Sequence, residues 1–197
     1  MKTILLPVLA TALVAFLAPS PAHASIVITA IESSGNVVVS FSGSVDLTGA
    51  GTPNTGSGAA NFINPAGPSI SFKGFSVGEG DTYTLPATVS FPAYGTGGAA
   101  FPNSQSGDIL RISGFTPHSI SLPSGYASND PLSGSMTFVT QSFNTLGLTP
   151  GTYVWDLGFT GGPPQNATIS IVPEPSSLAL LGLAGLGLLR RRRTTKS

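Results

Sequence analysis

The sequence contains no cysteine and few charged residues. The absence of cysteine from all 197 residues excludes disulfides, thiolate metal sites and a cysteine nucleophile. Between residues 25 and 172, seven acidic and two basic residues leave a net charge of −5. Because two cations neutralise few phosphates, nucleic acid is not expected as a partner.

Residues that usually carry catalysis are also scarce. His118 is the only histidine after residue 24, whereas a catalytic zinc site usually needs two or three, and no G-x-S-x-G elbow accompanies it. We therefore expect no catalytic residue, no metal and no cofactor, with His118 in a loop or at a strand end. A pair of carboxylates for glycoside hydrolysis stays open, because the sequence does not give their separation. Around Glu79 and Asp81, a turn with solvated acids is expected rather than a calcium loop.

The first 24 residues have the features of a secretory signal peptide. Lys2 is followed by an apolar stretch over residues 4–17, and Ala22 and Ala24 form a small-x-small cleavage pattern. Cleavage after Ala24 would make Ser25 the first residue of the mature chain. The alternative is a retained anchor, but the apolar run is shorter than the roughly 20 residues of a membrane span.

The C-terminal end combines three features in order. Pro173, Glu174 and Pro175 precede an apolar run over residues 178–189, and a stop cluster of four arginines follows: Arg190, Arg191, Arg192 and Arg193. As a helix, the run would cover about 18 Å, against a hydrocarbon core of roughly 30 Å. The arginines favour the cytoplasmic side, so the preceding segment faces outward. These features alone indicate a short tail anchor.

This end resembles the PEP-CTERM sorting signal, with the P-E-P triplet, the short glycine- and leucine-rich span and the arginine cluster, over residues 172–197. The resemblance implies recognition by exosortase, a membrane-embedded cysteine transpeptidase of Gram-negative bacteria that cuts near the triplet. It also implies delivery to the cell surface or exopolysaccharide matrix after transient anchoring in the inner membrane. The expected partners are signal peptidase, exosortase and the inner membrane, with exopolysaccharide as a candidate.

The segment between the two ends, residues 25–172, is expected to be one all-β domain, flanked by the signal helix and the short C-terminal apolar helix. Short runs of alternating hydrophobicity are separated by glycine, proline and asparagine, which is typical of a β-sandwich or jelly-roll. The predicted strands are Ile26–Glu32, Asn36–Ser42, Ser69–Ser76, Thr82–Leu85, Ala87–Phe91, Asp108–Ser113, Ser119–Leu122, Gly134–Phe143, Gly151–Leu157 and Ala167–Val172. Residues 43–68 are expected to form a long loop, or two weak strands joined by one, and residues 93–107 a second loop.

Period-two spacing predicts which side chains face the core. The predicted inward residues are Val37, Val39, Phe41, Met136, Phe138, Tyr153, Trp155 and Leu157. The charged residues Lys73, Glu79, Asp81 and Arg111 are expected to point outward or to lie at an edge. Core packing is the default for the aromatic residues Trp155, Tyr83, Tyr94, Tyr126 and Tyr153, with stacking on sugars as the alternative.

Three functions follow from these patterns. The first is a non-enzymatic structural protein of the cell surface or matrix. The second is a carbohydrate-binding module, which would need an exposed aromatic platform or a calcium loop, and the third is a hydrolase with two facing acids. Ice binding is not favoured, because only Thr82 and Thr84 resemble the threonine array that it requires.

Overall fold

The computed structural model describes residues 24–58 and 60–173. The expected signal helix and the expected C-terminal helix lie outside these residues. Within them, the chain forms twelve strands and one short helix. The elements are β1 Ser25–Ser33, β2 Asn36–Gly43, β3 Asn54–Thr55, β4 Phe62–Asn64, β5 Ser69–Ser71, β6 Gly80–Thr84, β7 Ser104–Gly107, β8 Arg111–Ser113, β9 Ser119–Pro123, β10 Leu132–Phe138, α1 Phe143–Leu146, β11 Gly151–Asp156 and β12 Asn166–Val172.

The strands form two six-stranded sheets. The first sheet has the order β11-β12-β1-β2-β10-β7, and the second has the order β3-β6-β9-β8-β5-β4. β1 lies inside the first sheet, where it forms an antiparallel hairpin with β2 and pairs in parallel with β12. The chain's first and last described strands are therefore neighbours.

The two sheets enclose one hydrophobic core. Phe41 of the first sheet and Phe72, next to β5 of the second, have ring centroids 4.4 Å apart. Trp155 is fully buried, packs edge-on against Phe91 and Tyr94, and its indole N–H donates to the Pro92 carbonyl at 2.9 Å. The all-β prediction is confirmed, and two sheets around one core are consistent with a sandwich.

Most predicted strands and inward faces are confirmed. Val37, Val39, Phe41, Met136, Phe138, Trp155 and Leu157 are buried, while Tyr153 is half-buried against the core. Residues 43–68 contain the two weak strands, β3 and β4, that were the alternative to a loop. The loop prediction for residues 93–107 is wrong at its end, because β7 pairs with β10 there.

Four predicted strands differ from the structure by more than two residues, and one of these, predicted from Asp108, begins only at Arg111. Residues 87–91 form no strand, because a turn follows Pro86, whose carbonyl accepts from the Val89 amide. The strand predicted to begin at residue 69 ends at Ser71. The strand predicted to reach Phe143 ends at Phe138, and Ser142 then caps helix α1 through a reciprocal capping box with Thr145.

The prediction that charged strand residues point outward holds for Lys73 and fails for Asp81. Lys73 is exposed and Arg111 is half-buried. Asp81 is buried, because its carboxylate accepts the Gly125 amide at 2.9 Å and so ties β6 to the turn after β9. Glu79, in the same turn region, is exposed as expected.

Candidate functional site

The outer face of the first sheet, called here the open face, carries an unbroken line of hydroxyl side chains. One residue from each of the six strands occupies the same register position. These residues, the hydroxyl row, are Thr152, Ser170, Thr29, Ser40, Ser135 and Ser106. The row crosses the whole sheet, and its members are exposed or half-buried.

The geometry of the sheet sets the spacing of the row. Neighbouring strands lie about 4.8 Å apart, so the row offers a hydroxyl at each such step. Each hydroxyl can donate one hydrogen bond and accept two. Ser106 and Ser135 already contact each other at 3.1 Å. The row is therefore an array of donors and acceptors across the sheet with no fixed charge.

Aliphatic side chains flank the hydroxyl row on both sides. On one side of the row, Val27 and Val154 both pair with Thr168. On the other side, Ile31 pairs with Val172. All four aliphatic side chains are exposed. Among the strand residues that face outward from this sheet, the only charged one is Asp156, at a corner. The open face thus combines hydroxyls with aliphatic surface and is nearly free of charge.

Two shallow grooves lie at one end of the open face. The larger, of about 550 Å³, is lined by Ser42, Ser44, Asn129 and Ser133 among others. The smaller, of about 300 Å³, is lined by Ser25, Gln165, Asn166 and Thr168 among others. Their polar groups are hydroxyls and amides, so the grooves extend the uncharged chemistry of the face.

The carboxylates of the domain have structural partners. Six of the seven acids between residues 25 and 172 accept a hydrogen bond from a backbone amide. The pairs are Glu32 with Phe143, Asp46 with Thr48, Glu79 with Ser76, Asp81 with Gly125, Asp108 with Ser133 and Asp156 with Gly158. Among the residues that the structure describes, no three acidic or histidine side chains converge on a possible metal position.

Four ionisable residues have pKa values shifted by their surroundings, among them Tyr83, whose pKa is raised by burial and by the nearby Asp81 carboxylate. The Thr48 amide, which donates to the Asp46 carboxylate, lowers the pKa of Asp46. Burial raises the pKa of Tyr94 well above its usual range and also raises that of Tyr126. These shifts keep Asp46 charged and the three tyrosines neutral, which suits hydrogen bonding within the fold rather than proton transfer.

His118 lies at a strand end, as the sequence predicts. It directly precedes β9, its carbonyl accepts the Leu85 amide, and its ring packs 5.0 Å from that of Phe91. Its Nδ1 atom is buried without a hydrogen-bond partner among the described residues. A histidine held this way is part of the packing around Phe91.

The aromatic residues considered for sugar stacking belong to the core. Trp155, Tyr83 and Tyr94 are buried, and Tyr126 is half-buried, with its hydroxyl donating to the Asp130 carbonyl at 2.7 Å. The exposed aromatic side chains in the described residues are Phe101 and Phe115. Core packing of the tryptophan and tyrosines, the default prediction, is confirmed.

The two expected processing sites fall at the two ends of the first sheet. Ala24 is buried and Ser25 begins β1 beside Asn166. Val172 ends β12 opposite Ile31 and Pro173 follows it. Ala22, Glu174, Pro175 and the four arginines at 190–193 lie outside the described residues. Because β1 and β12 run in parallel, the chain enters at one end of the sheet and leaves at the other.

These features define a class: a β domain whose last strand passes directly into a C-terminal sorting segment. Residues 172–193 match the family model described as the PEP-CTERM protein-sorting motif, so the chain carries that motif. It is an exported protein that exosortase sorts to the cell surface. No curated protein and no solved structure matches the chain. Within residues 24–58 and 60–173, no helix has the length and apolar character needed to cross a membrane.

Sequence reasoning identified the sorting segment and missed the open face. Alternating serine and threonine residues are visible in β1, β2, β10 and β12. Their alignment into one row depends on pairings such as Thr29 with Ser170, about 140 residues apart in the chain, which the register of β12 against β1 sets. The signal in the sequence that could have indicated the open face is the lack of charged residues at the outward positions of these strands.

Proposed function

We propose that this protein is a non-enzymatic structural component of the cell surface or exopolysaccharide matrix of a Gram-negative bacterium. Signal peptidase would release it after Ala24, the tail would hold it transiently in the inner membrane, and exosortase would then process the tail. The observation that supports a non-enzymatic role is the way the carboxylates are used. Six of seven accept a hydrogen bond from a backbone amide, which gives them a part in holding the loops.

Replacement of the sorting triplet tests the processing step. In the native host, changing Pro173, Glu174 and Pro175 to alanine should leave full-length protein in the membrane fraction, because exosortase would no longer recognise the segment. A matched change of three exposed residues to alanine, at Thr52, Ser57 and Thr88, controls for effects on expression. Efficient release of the triplet variant would contradict the proposed processing.

A second function is favoured by the open face, namely binding of a neutral exopolysaccharide. The hydroxyl row matches the hydroxyl groups of a sugar chain, and the flanking valines match its apolar ring faces. The low charge of the face avoids the cost of desolvating ions on contact. This mode needs neither an aromatic platform nor a calcium loop, the two features that the sequence led us to require.

A glycan array separates the structural role from specific sugar binding. The mature protein should bind neutral glycans, and Ser40→Lys, in the centre of the hydroxyl row, should weaken that binding because it places a charge on the face. Thr84→Lys, at an exposed position on the outer side of the second sheet, is the matched control and should bind as the parent does. An array with no signal for the parent would remove the binding function and leave the structural one.

A further inference from the structure

The sorting motif begins inside the folded sheet. Its first matched residue, Val172, is also the last residue of β12 and pairs with Ile31 of β1. Only residues 173–177 lie between Val172 and the apolar run that begins at residue 178, and five residues span at most about 18 Å. The end of the first sheet at Val172 therefore stays within about 18 Å of the membrane segment while the tail is in place.

Aliphatic side chains are concentrated on the open face at that same end. The apolar strip, as we call it, consists of Val172 on β12, Ile31 on β1, Val38 on β2 and Val139 directly after β10. Val172, Ile31 and Val139 are 46%, 40% and 44% exposed, respectively. Val38 pairs with Ile31 and Val139 follows Phe138, the partner of Val37, so the strip spans four adjacent strands.

Among the residues that the structure describes, no charged side chain interrupts this strip. Glu32 is next to Ile31 in sequence but faces the opposite side of the sheet, where its carboxylate accepts the Phe143 amide. The hairpin that follows is also uncharged, with Ser33 and Asn36 at the strand ends and Ser34 and Gly35 in the turn. An uncharged aliphatic edge beside a chain that continues into a membrane is suited to the interfacial region of the bilayer.

We propose that the apolar strip rests on the lipid surface while the tail is anchored, and so holds the β domain in a fixed orientation over the sorting triplet. This inference depends on the anchored stage of the proposed function. In this arrangement the Val172 end faces the membrane. The opposite end, with the two grooves and the β1 start, faces away from it.

A matched control residue lies at the far end. Val77 is 73% exposed in the turn before β6, whose first residue, Gly80, pairs with Pro123. The Tyr126 hydroxyl, just beyond Pro123, accepts the Val45 amide, and Val45 follows the end of β2. Val77 is therefore at the end of the molecule where β1 starts, away from Val172.

The test uses residues 25–197, the chain that remains after removal of the signal peptide, in phosphatidylcholine vesicles prepared with or without brominated acyl chains. Val139→Trp and Val77→Trp are single reporters, and the native Trp155 is a constant background because it is fully buried. We expect at least about twofold more quenching for Val139→Trp than for Val77→Trp, since interfacial apolar groups insert about 5–10 Å into the headgroup boundary. Ile31→Trp is a second reporter and should behave as Val139→Trp does.

A flexible insertion before the tail distinguishes lipid binding by the apolar strip from proximity that the tail alone imposes. Ten Gly-Ser residues placed between Val172 and Pro173 should leave most of the Val139→Trp quenching in place if the strip binds lipid itself. Equal quenching at positions 77 and 139, or loss of quenching on insertion, would overturn the inference. Flotation of the chain with vesicles reports on the tail: flotation without quenching rejects only the docked strip, and failure to float rejects both the docked strip and the anchored stage.

Discussion

The outer faces of the two sheets both carry serine and threonine, but these residues are exposed on the first sheet and largely buried at the centre of the second. On the first sheet, the hydroxyl row is open to solvent. On the second, the corresponding positions are also mostly serine and threonine, yet Ser69 and Ser71 have no exposed surface and Ser121 is 2% exposed. We call this second surface the covered face.

Local packing accounts for the difference. On the covered face, the Arg111 guanidinium lies 5.7 Å from the centre of the Phe62 ring, and both residues share a register with Ser71. Thr82 and Ser121 are hydrogen-bonded at 2.9 Å. The central serines of the covered face are therefore buried, while its margin at Thr84 is exposed. The hydroxyl row of the open face is free to contact a partner.

The strongest test of this contrast is to place the same charge on each face. Ser71→Lys should lower the free energy of unfolding by about 3 kcal/mol or more, because it buries an unpaired cation beside Arg111. Ser40→Lys should change it by less than about 0.5 kcal/mol, because Ser40 is exposed. Urea denaturation measures both, and equal effects would mean that the two faces do not differ in burial.

Tyr94 anchors the covered face from the core side. Its hydroxyl donates to the Ser69 carbonyl at 2.9 Å and accepts the Asn64 amide at 3.0 Å. Tyr94→Phe should cost about 1–3 kcal/mol, because it leaves these buried groups without a partner. Tyr153→Phe, whose hydroxyl is exposed and bonded to Thr149, is the control and should cost less.

The same tyrosine gives a pH dependence. Burial raises the pKa of Tyr94 in the folded state, so the unfolded chain releases this proton at lower pH than the folded one. The contribution is fully present below the unfolded pKa of about 10 and is lost as pH rises further. Thermal unfolding between pH 9 and 11 should show this loss in the parent and a weaker loss in Tyr94→Phe. Identical pH profiles would exclude Tyr94 as the cause.

A smaller effect is expected at Arg111. Arg111→Gln removes the cation from the Phe62 ring and should cost about 0.5–1 kcal/mol. Lys73→Gln removes the other cation of the domain at an exposed position and is the matched control, expected to be near neutral. If the two variants unfold at the same urea concentration, the ring contact contributes nothing measurable.

The smallest expected effect concerns a buried hydroxyl. The Ser71 oxygen is buried without a hydrogen-bond partner among the described residues, so Ser71→Ala should be neutral or slightly stabilising. Thr82→Val, which removes the hydrogen bond to Ser121, should instead cost about 0.5–1.5 kcal/mol. A large loss at Ser71→Ala would indicate a partner for that hydroxyl.

Sequence patterns predicted the strands with long alternating runs and failed where tertiary contacts decide. β1, β2 and β12 alternate over seven or more residues, which is enough to define both element and face. β7 has the sequence Ser-Gln-Ser-Gly and contains no buried residue. It forms a strand because its backbone pairs with the edge of β10. The burial of Asp81 depends on the turn at Gly125, more than forty residues away, which no local pattern encodes.

The central claim is that the sorting segment delivers a domain whose open face contacts the matrix. The direct measurement is the fraction of processed protein retained in the isolated exopolysaccharide of cells that express the parent, Ser40→Lys or Thr84→Lys. The account predicts that Ser40→Lys shifts protein from the matrix into the medium and that Thr84→Lys does not. Equal retention of all three proteins would contradict it.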